Sequence, residues 1–427
     1  MPKKKTEQKS AENKKEKKST PKSKGSPVAK GVKKALKQEA ARQVRKRFGL
    51  FGRILPLKVL IFLLLLGGIG SAAITFIPEE KIPAPLEKIH SFLLGRRNYA
   101  IRQLKLPFSG YEDSYSVENP ASDPIKLFLA PSPVITKELC KFMDSAVSSI
   151  EVCAFDIKLH AVADALIRAH QNKIKVRVVT ETDYLKNPAL GRISQAGIPV
   201  VSDYRSGLMH NKFVIVDHRY IWTGSFNLTD NGQNKNDNNA LLLESPRLAQ
   251  AYRERFEQYF NGNFGTKGKR SSSQVSFTGL LPVRHGFSPV DKVTEMILAE
   301  LDTAQKSVDI MAFSFTSADL AEKLYDLHRK GIRIRCLYDY GQSKNKASKD
   351  EEMRKKGLKV FYSPNRRGKM HHKVMIIDRN TVITGSFNFS KNAEKTNDEN
   401  ILVVRSPALA GIYTREMNRC IKGIKGY

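Results

Sequence analysis

Apolar positions along the chain fall into three regimes. Between Val28 and Phe51 they come four apart (Val32, Leu36, Ala40, Val44, Phe48) among many basic residues, the spacing of a basic amphipathic helix. A solvated charged tail accounts for the same residues, and both readings stand at this point. Val59 to Ile77 is an uncharged run of 19 residues, which as a helix reaches about 28 Å and so spans a hydrocarbon core. From about residue 125 onward, short β-rich apolar runs alternate with helical patterns. SSIEVCAFDI at 148–157 and the run KIKVRVVTETDY flank AVADALIRAHQN, whose apolar residues recur at helical spacing. Strand, helix, strand predicts crossover units, and hence a largely parallel sheet with covered faces.

That pattern then repeats. SSIEVCAFDI matches KSVDIMAFSF at 306–315 with an offset of 158 residues, and MHNKFVIVDHRYIWTGSFN matches MHHKVMIIDRNTVITGSFN with an offset of 161. The three extra residues fall between Tyr340 and Pro364, in a polar stretch suited to a loop. The repeat predicts two copies of one α/β lobe, with mixed, largely parallel sheets flanked by helices and related by a pseudo-twofold axis. The expected organisation is a basic tail at 1–53, a transmembrane helix at 54–78 and a connector at 79–124. Lobe 1 follows at 125–262, a Gly/Lys/Ser-rich linker at 263–275, and lobe 2 at 276–423.

Charge narrows the partners. Seventy-three Lys and Arg stand against 42 Asp and Glu, a net of +31, which excludes an acidic calcium buffer and favours a polyanion or an anionic membrane surface. The first 26 residues are too polar to bury themselves and are predicted to be disordered, with the basic tail free to meet anionic lipid. Arg53 and Lys58 precede the apolar run, whereas Glu79 and Glu80 follow it. The positive-inside bias thus predicts a single-pass membrane protein, with a cytoplasmic amino terminus and the bulk of the chain on the far side. A cleaved signal peptide is the alternative; a charged region of more than fifty residues before the run favours an uncleaved anchor. The four cysteines lie far apart, which leaves neither a C-x-x-C zinc site nor a disulfide framework.

The candidate chemistry sits in the repeats. His-x-Lys-x4-Asp occurs twice (His210, Lys212, Asp217; His371, Lys373, Asp378), each time 14 residues before Gly-Ser-Phe-Asn. On an extended strand, residues two apart share a face, so imidazole and ammonium can address one phosphate together. By the same alternation Ser225 and Asn227, like Ser386 and Asn388, are expected to face phosphate oxygens. Asp217 and Asp378 fall on the opposite face and are expected to support the site structurally, as the least direct of the six. His372 alternates away from His371 into a supporting position, His218 is expected at the surface, and Trp222 in packing. His371-His372 lacks the spacing of a metal site, and no metal or other cofactor is expected.

The doubled motif with Gly-Ser-x-Asn resembles the phospholipase D superfamily, close to its cardiolipin hydrolase and endonuclease branch, over residues 125–423. The resemblance implies one site shared by the two lobes, without need of a dimer, and a metal-independent reaction in two displacements. One histidine attacks phosphorus to give a phosphohistidine; the other protonates the leaving alcohol and then activates water. The family leans toward His210 as nucleophile and His371 as acid. The family's further Asn-x-Glu-Asn element is present in lobe 2 as Asn397 to Asn400. In lobe 1, Asn238 replaces the carboxylate of Glu399, so the histidine held by Glu399 is expected to be the more readily protonated. The implied substrate is a phospholipid or nucleic-acid phosphodiester. The anchor favours lipid hydrolysis over a nuclease, with cardiolipin synthase-like transfer and a non-catalytic binder as minor alternatives.

Overall fold

The computed structural model describes residues 114–119, 122–279, 281–422 and 424. The basic tail, the apolar span and most of the predicted connector lie outside these residues. Among the described residues no helix is long and apolar enough to cross a membrane.

Lobe 1 contains strands β1 (Ser114–Asn119), β2 (Ser122–Ala130), β3 (Ser149–Ala154), β4 (Lys175–Thr180), β5 (Val200–Ser202), β6 (Lys212–Val216), β7 (Tyr220–Gly224) and β8 (Asn238–Glu244). Its helices are α1 (Pro133–Asp144), α2 (His160–Gln171), α3 (Pro188–Gln195), the short α4 (Asp230–Asn234) and α5 (Pro246–Phe260). Lobe 2 repeats them. Its strands are β9 (Val275–Thr278), β10 (Leu281–Ser288), β11 (Ser307–Ala312), β12 (Arg333–Tyr338), β13 (Lys359–Tyr362), β14 (Lys373–Ile377), β15 (Thr381–Gly385) and β16 (Glu399–Arg405). Its helices are α6 (Val293–Leu301), α7 (Ala318–Arg329), α8 (Asp350–Lys355), α9 (Lys391–Lys395) and α10 (Pro407–Lys422).

The strand order is β1-β2-β8-β7-β6-β3-β4-β5 in the first sheet and the equivalent β9-β10-β16-β15-β14-β11-β12-β13, read from its other end, in the second. Duplication is therefore complete at the level of topology. The expected largely parallel character is corrected. Only β3–β4–β5 and β11–β12–β13 pair in parallel, and every other neighbour is antiparallel. The physical reason lies in the connections. Asp217–Arg219 between β6 and β7 is too short for a crossover and permits only a hairpin. The flanking strands are buried on both faces, so their unbroken apolar runs look the same for either direction. Strand β1 also lies inside the segment expected to be connector. Its sequence SYSVEN carries one aliphatic residue and so gives no hydrophobic pattern.

Helix α2 shows why the helical patterns hold: Val162, Ala165, Leu166 and Ala169 form one buried stripe. In α5 and α10 a proline at the first helical position follows Ser245 and Ser406, whose hydroxyls accept the Leu248 and Leu409 amides. Helices α1–α3 cover the outer face of the first sheet, and α6–α8 that of the second. The inner faces share one core with α5 and α10, in which Phe213, Tyr252 and Phe256 meet Phe287, Val374 and Tyr413. All four cysteines are free thiols.

Candidate active site

Each histidine lies just before a core strand, where the chain leaves its own sheet and pairs with the other lobe. Met209 bridges Asp398 and Met370 bridges Asp237, both in parallel. His210 N–H donates to Asp398 O (3.0 Å) and His371 N–H to Asp237 O (2.9 Å). The reciprocity is what a twofold relation demands. Two glycines permit the approach: a Cβ on Gly207 would lie 2.4 Å from Thr396 O, and one on Gly368 2.1 Å from Lys235 O. Carboxylates pin the same segments, since Glu181 accepts the Met209 amide (2.8 Å) and Asp339 the Met370 amide (3.0 Å). Burial, with the Asp203 carboxylate close by, raises the Glu181 carboxyl to about 7.

The imidazoles are held from the opposite lobe as well. His210 Nδ1 lies 2.7 Å from Glu399 Oε2, and His371 Nδ1 lies 2.8 Å from Asn238 Oδ1 and 3.2 Å from Ser225 O. These partners all accept, so the neighbours assign the proton to Nδ1 and leave both Nε2 lone pairs for chemistry. Phe155 packs edge-on against His210 and Phe313 against His371. Burial lowers His210 to about 4 despite the opposing pull of Glu399. His371, with burial and then Lys373 and Lys212 against it and no carboxylate beside it, falls well below the ordinary value.

Lys212 Nζ donates to His210 O, and Lys373 Nζ to His371 O at 2.8 Å. Each ammonium also sits over a phenylalanine ring, Phe155 at 4.8 Å and Phe313 at 4.6 Å. Burial pulls Lys212 down to about 7 and Lys373 well below its usual range. A cleft with two such buried lysines is short of negative charge, a deficit that a phosphate anion fills.

The remaining expected residues divide. Ser225 and Ser386 are fully buried, with their hydroxyls turned toward the groups behind the rings. Ser225 Oγ donates to Asn238 (3.0 Å) and Ser386 Oγ to Glu399 (2.7 Å), so the serines brace the groups that hold the rings. The strands end at Gly224 and Gly385, and the alternation inferred for Gly-Ser-Phe-Asn does not continue past them. Asn227 and Asn388 are partly exposed, each with a buried and unpartnered Oδ1, so that only the Nδ2 amide could donate to a phosphate oxygen. Asp217 and Asp378 are far from the reacting centre, about 16 Å along the strand from the lysines. They are thus corrected out of the catalytic set. Asp217 accepts the amides of Val147, Ser148 and Ser149, and Asp378 those of Gln305, Lys306 and Ser307. Their φ angles of 53° and 52° lie in the left-handed region that Asp tolerates.

His372 is buried between Asn239 (2.9 Å) and Glu416 (3.1 Å), as its alternation predicts. Trp222 stacks on Phe128, and His218 is half-exposed. Sequence reasoning missed the matched polar networks behind the site. Asn400 Oδ1 accepts from Thr223 and Tyr252 of lobe 1, while Asn239 Oδ1 accepts from Thr384 and Tyr413 of lobe 2. It also missed Phe155, Phe313, Glu181 and Asp339, although the repeated Ala-Phe and Gly-x-Met-His strings offered a signal. Among the described residues, Asp237, Glu416 and Cys420 alone group closely enough to suggest metal ligation. The Arg419 guanidinium already donates to both carboxylates and supplies the counter-charge.

The family described as cardiolipin synthase, PLD-like domain, matches twice, over residues 139–260 and 297–421, more than half of the chain. A mitochondrial cardiolipin hydrolase of Xenopus laevis is 32% identical over 144 residues, 33% of this chain and 69% of that protein. A phospholipase D of Rickettsia bellii (strain RML369-C) is 35% identical over 127 residues, 30% of this chain and 63% of that protein. Each alignment is thus about one lobe long, and the chain spans roughly two thirds of each relative. The crystal structure of phosphatidylserine synthase from Haemophilus influenzae Rd KW20 superposes with a TM-score of 0.57 at 13% identity, covering 71% of this chain and 87% of that one. That last match shows a common fold. Twice matched by the family and twice carrying its histidine–lysine motif, the chain belongs to the phospholipase D superfamily and is a phosphodiesterase hydrolase.

Proposed function

We propose that the protein is a membrane-anchored enzyme that hydrolyses phospholipid phosphodiester bonds through a phosphohistidine on His210. In the first displacement His210 Nε2 attacks phosphorus, the bond to the leaving alcohol breaks, and His371 Nε2–H protonates the departing oxygen. In the second, neutral His371 takes a proton from water. The water oxygen attacks phosphorus, and the P–N bond breaks to restore His210. Lys212, Lys373, Asn227 and Asn388 bind the non-bridging oxygens. Both rings are neutral in the empty cleft, so the bound phosphodiester anion supplies the charge that lets His371 take up its proton.

The observation that carries this reading is the matched pair of Nδ1 contacts, 2.7 Å to Glu399 and 2.8 Å to Asn238, which leaves both Nε2 atoms for chemistry. A carboxylate behind His210 and a neutral amide behind His371 favour the former as nucleophile and the latter as proton donor. Lipid is favoured by relatives named cardiolipin hydrolase and phospholipase D. The apolar run at 59–77 would hold the site at a bilayer, with the amino terminus cytoplasmic and the basic tail on anionic lipid. One chain carries both half-sites, so a monomer suffices.

The test offers the full chain cardiolipin, phosphatidylcholine, single-stranded DNA and duplex DNA. Phospholipid hydrolysis with intact DNA is expected; fast DNA cleavage with untouched lipid overturns the reading in favour of a nuclease. Product analysis with added alcohol separates hydrolysis from phosphatidyl transfer.

A further inference from the structure

The lobes repeat one another in the reacting residues but not at the rim of the cleft. Arg205 of lobe 1 turns inward, donating to Asp398 and to Thr396 O (2.7 Å). Its counterpart at the 161-residue offset, Arg366, has no such partner. Asp237, the counterpart of Asp398, already accepts from Arg419 (2.7 Å) and Asn365 (2.9 Å). Arg366 therefore stays exposed and lies 4.2 Å over the ring of Tyr340, itself 40% exposed, on which Lys344 also sits at 4.7 Å. Three residues further on, Lys369 stands where lobe 1 has Leu208. Its ammonium is 5.4 Å from the centre of Phe313, the ring packed against His371, and its charge acts on both His371 and Lys373.

Among the described residues, no carboxylate lies within ion-pair distance of Lys344, Arg366 or Lys369. Asp339, beside Tyr340, is engaged by the Gln342 and Met370 amides instead. The lobe 1 rim is different. Near His210, Phe155 is followed by Asp156, which holds Lys158 and Asn187, and no exposed cation replaces Leu208. Arg366 and Lys369 are thus exposed cations on the His371 side that have no unpaired equivalent at the lobe 1 rim, where Arg205 is engaged and Leu208 is apolar.

That side is where the leaving alcohol departs if His371 is the proton donor. We propose that Lys344, Arg366 and Lys369 form an anion subsite for a phosphate carried by the leaving alcohol. The inference rests on the phospholipid reading and narrows it to lipids whose headgroup bears a second phosphodiester. A phosphate held there orients the diester so that the alcohol oxygen faces His371 and the diacylglycerol faces lobe 1.

The test compares cardiolipin, whose leaving group carries a phosphate, with phosphatidylglycerol, whose leaving glycerol does not. Both are presented to the full chain at equal surface charge in neutral-detergent micelles. Lys369→Leu restores the lobe 1 residue at an exposed position; Arg366→Ala and Lys344→Ala complete the set, with melting temperatures checking the fold. In the triple variant the ratio of kcat/KM for cardiolipin to that for phosphatidylglycerol should fall about tenfold or more, through KM. An equal fall for both lipids would identify the three cations as a general membrane-surface contact and overturn the subsite, as would an unchanged ratio. Cleavage of neither lipid by the wild-type enzyme would overturn the phospholipid reading, and the subsite's substrate class with it.

Discussion

Glu399 and Asn238 occupy equivalent places behind the two imidazoles and differ by one charge. Replacing Glu399 with Gln keeps the hydrogen bond and removes the carboxylate that opposes the burial of His210. We expect kcat to fall about 10- to 100-fold with little change in melting temperature, and a wild-type rate in E399Q would contradict this. The buried rings also fix a pH dependence. His210 is lowered to about 4 from the 6.5 of an exposed imidazole, and His371 is lowered further. An unfolded chain therefore binds protons that the folded one refuses. The stability these rings support is present above about pH 6.5 and is lost as pH falls toward 4, at up to about 1.4 kcal/mol per pH unit for each ring. Melting curves at pH 7 and 4.5 test the sign. Inorganic phosphate, by supplying the missing anion, should reduce the loss, and calorimetry in two buffers should register proton uptake on binding. The histidines and lysines of the cleft were legible in the sequence because His and Lys sit two apart in a doubled motif. The roles of Ser225 and Ser386 were not, since the strands end one residue before them.

Among the elements, the β6–β7 and β14–β15 hairpins each carry a site lysine at one end and an aspartate at the other. Asp217 and Asp378 tie these turns to the segments that lead into β3 and β11. Loss of the carboxylate that accepts from three backbone amides in Asp217→Ala should lower stability by about 2 kcal/mol. Asp217→Asn, which still tolerates a positive φ but accepts less well, should fall between. Denaturant titration measures both, and kcat near the wild-type value in the folded variants separates this anchoring role from a catalytic one. The strand and helix character of the repeated segments followed from periodicity, as the buried stripe of α2 shows. Strand direction did not. Periodicity reports burial, and only the three-residue interval at Asp217–Arg219 betrayed the antiparallel hairpin.

At the scale of the molecule, each histidine depends on the lobe it does not belong to. His210 takes its carboxylate from lobe 2 and His371 its amide from lobe 1, while Asn400 and Asn239 close a polar network across the same boundary. The core between the sheets is shared too, so neither lobe is complete alone. A chain ending after residue 262 should show no hydrolysis, because His210 would lack Glu399 and its inner sheet face would meet water. The duplication itself was plain from the constant offsets in the sequence, whereas the exchange of partners between lobes depends on contacts 133 to 189 residues apart and left no local pattern.

The proposed mechanism stands on a covalent bond between His210 and phosphorus. Bis(p-nitrophenyl) phosphate has leaving groups that need no proton, so in His371→Asn the first displacement can proceed while the second, which requires His371 to activate water, stalls. After acid-free denaturation and digestion, mass spectrometry of that variant should find a p-nitrophenylphosphoryl adduct on the peptide containing His210, and none in His210→Asn. The same adduct on His371 in the His210→Asn variant, with His210 unmodified throughout, would contradict the assignment.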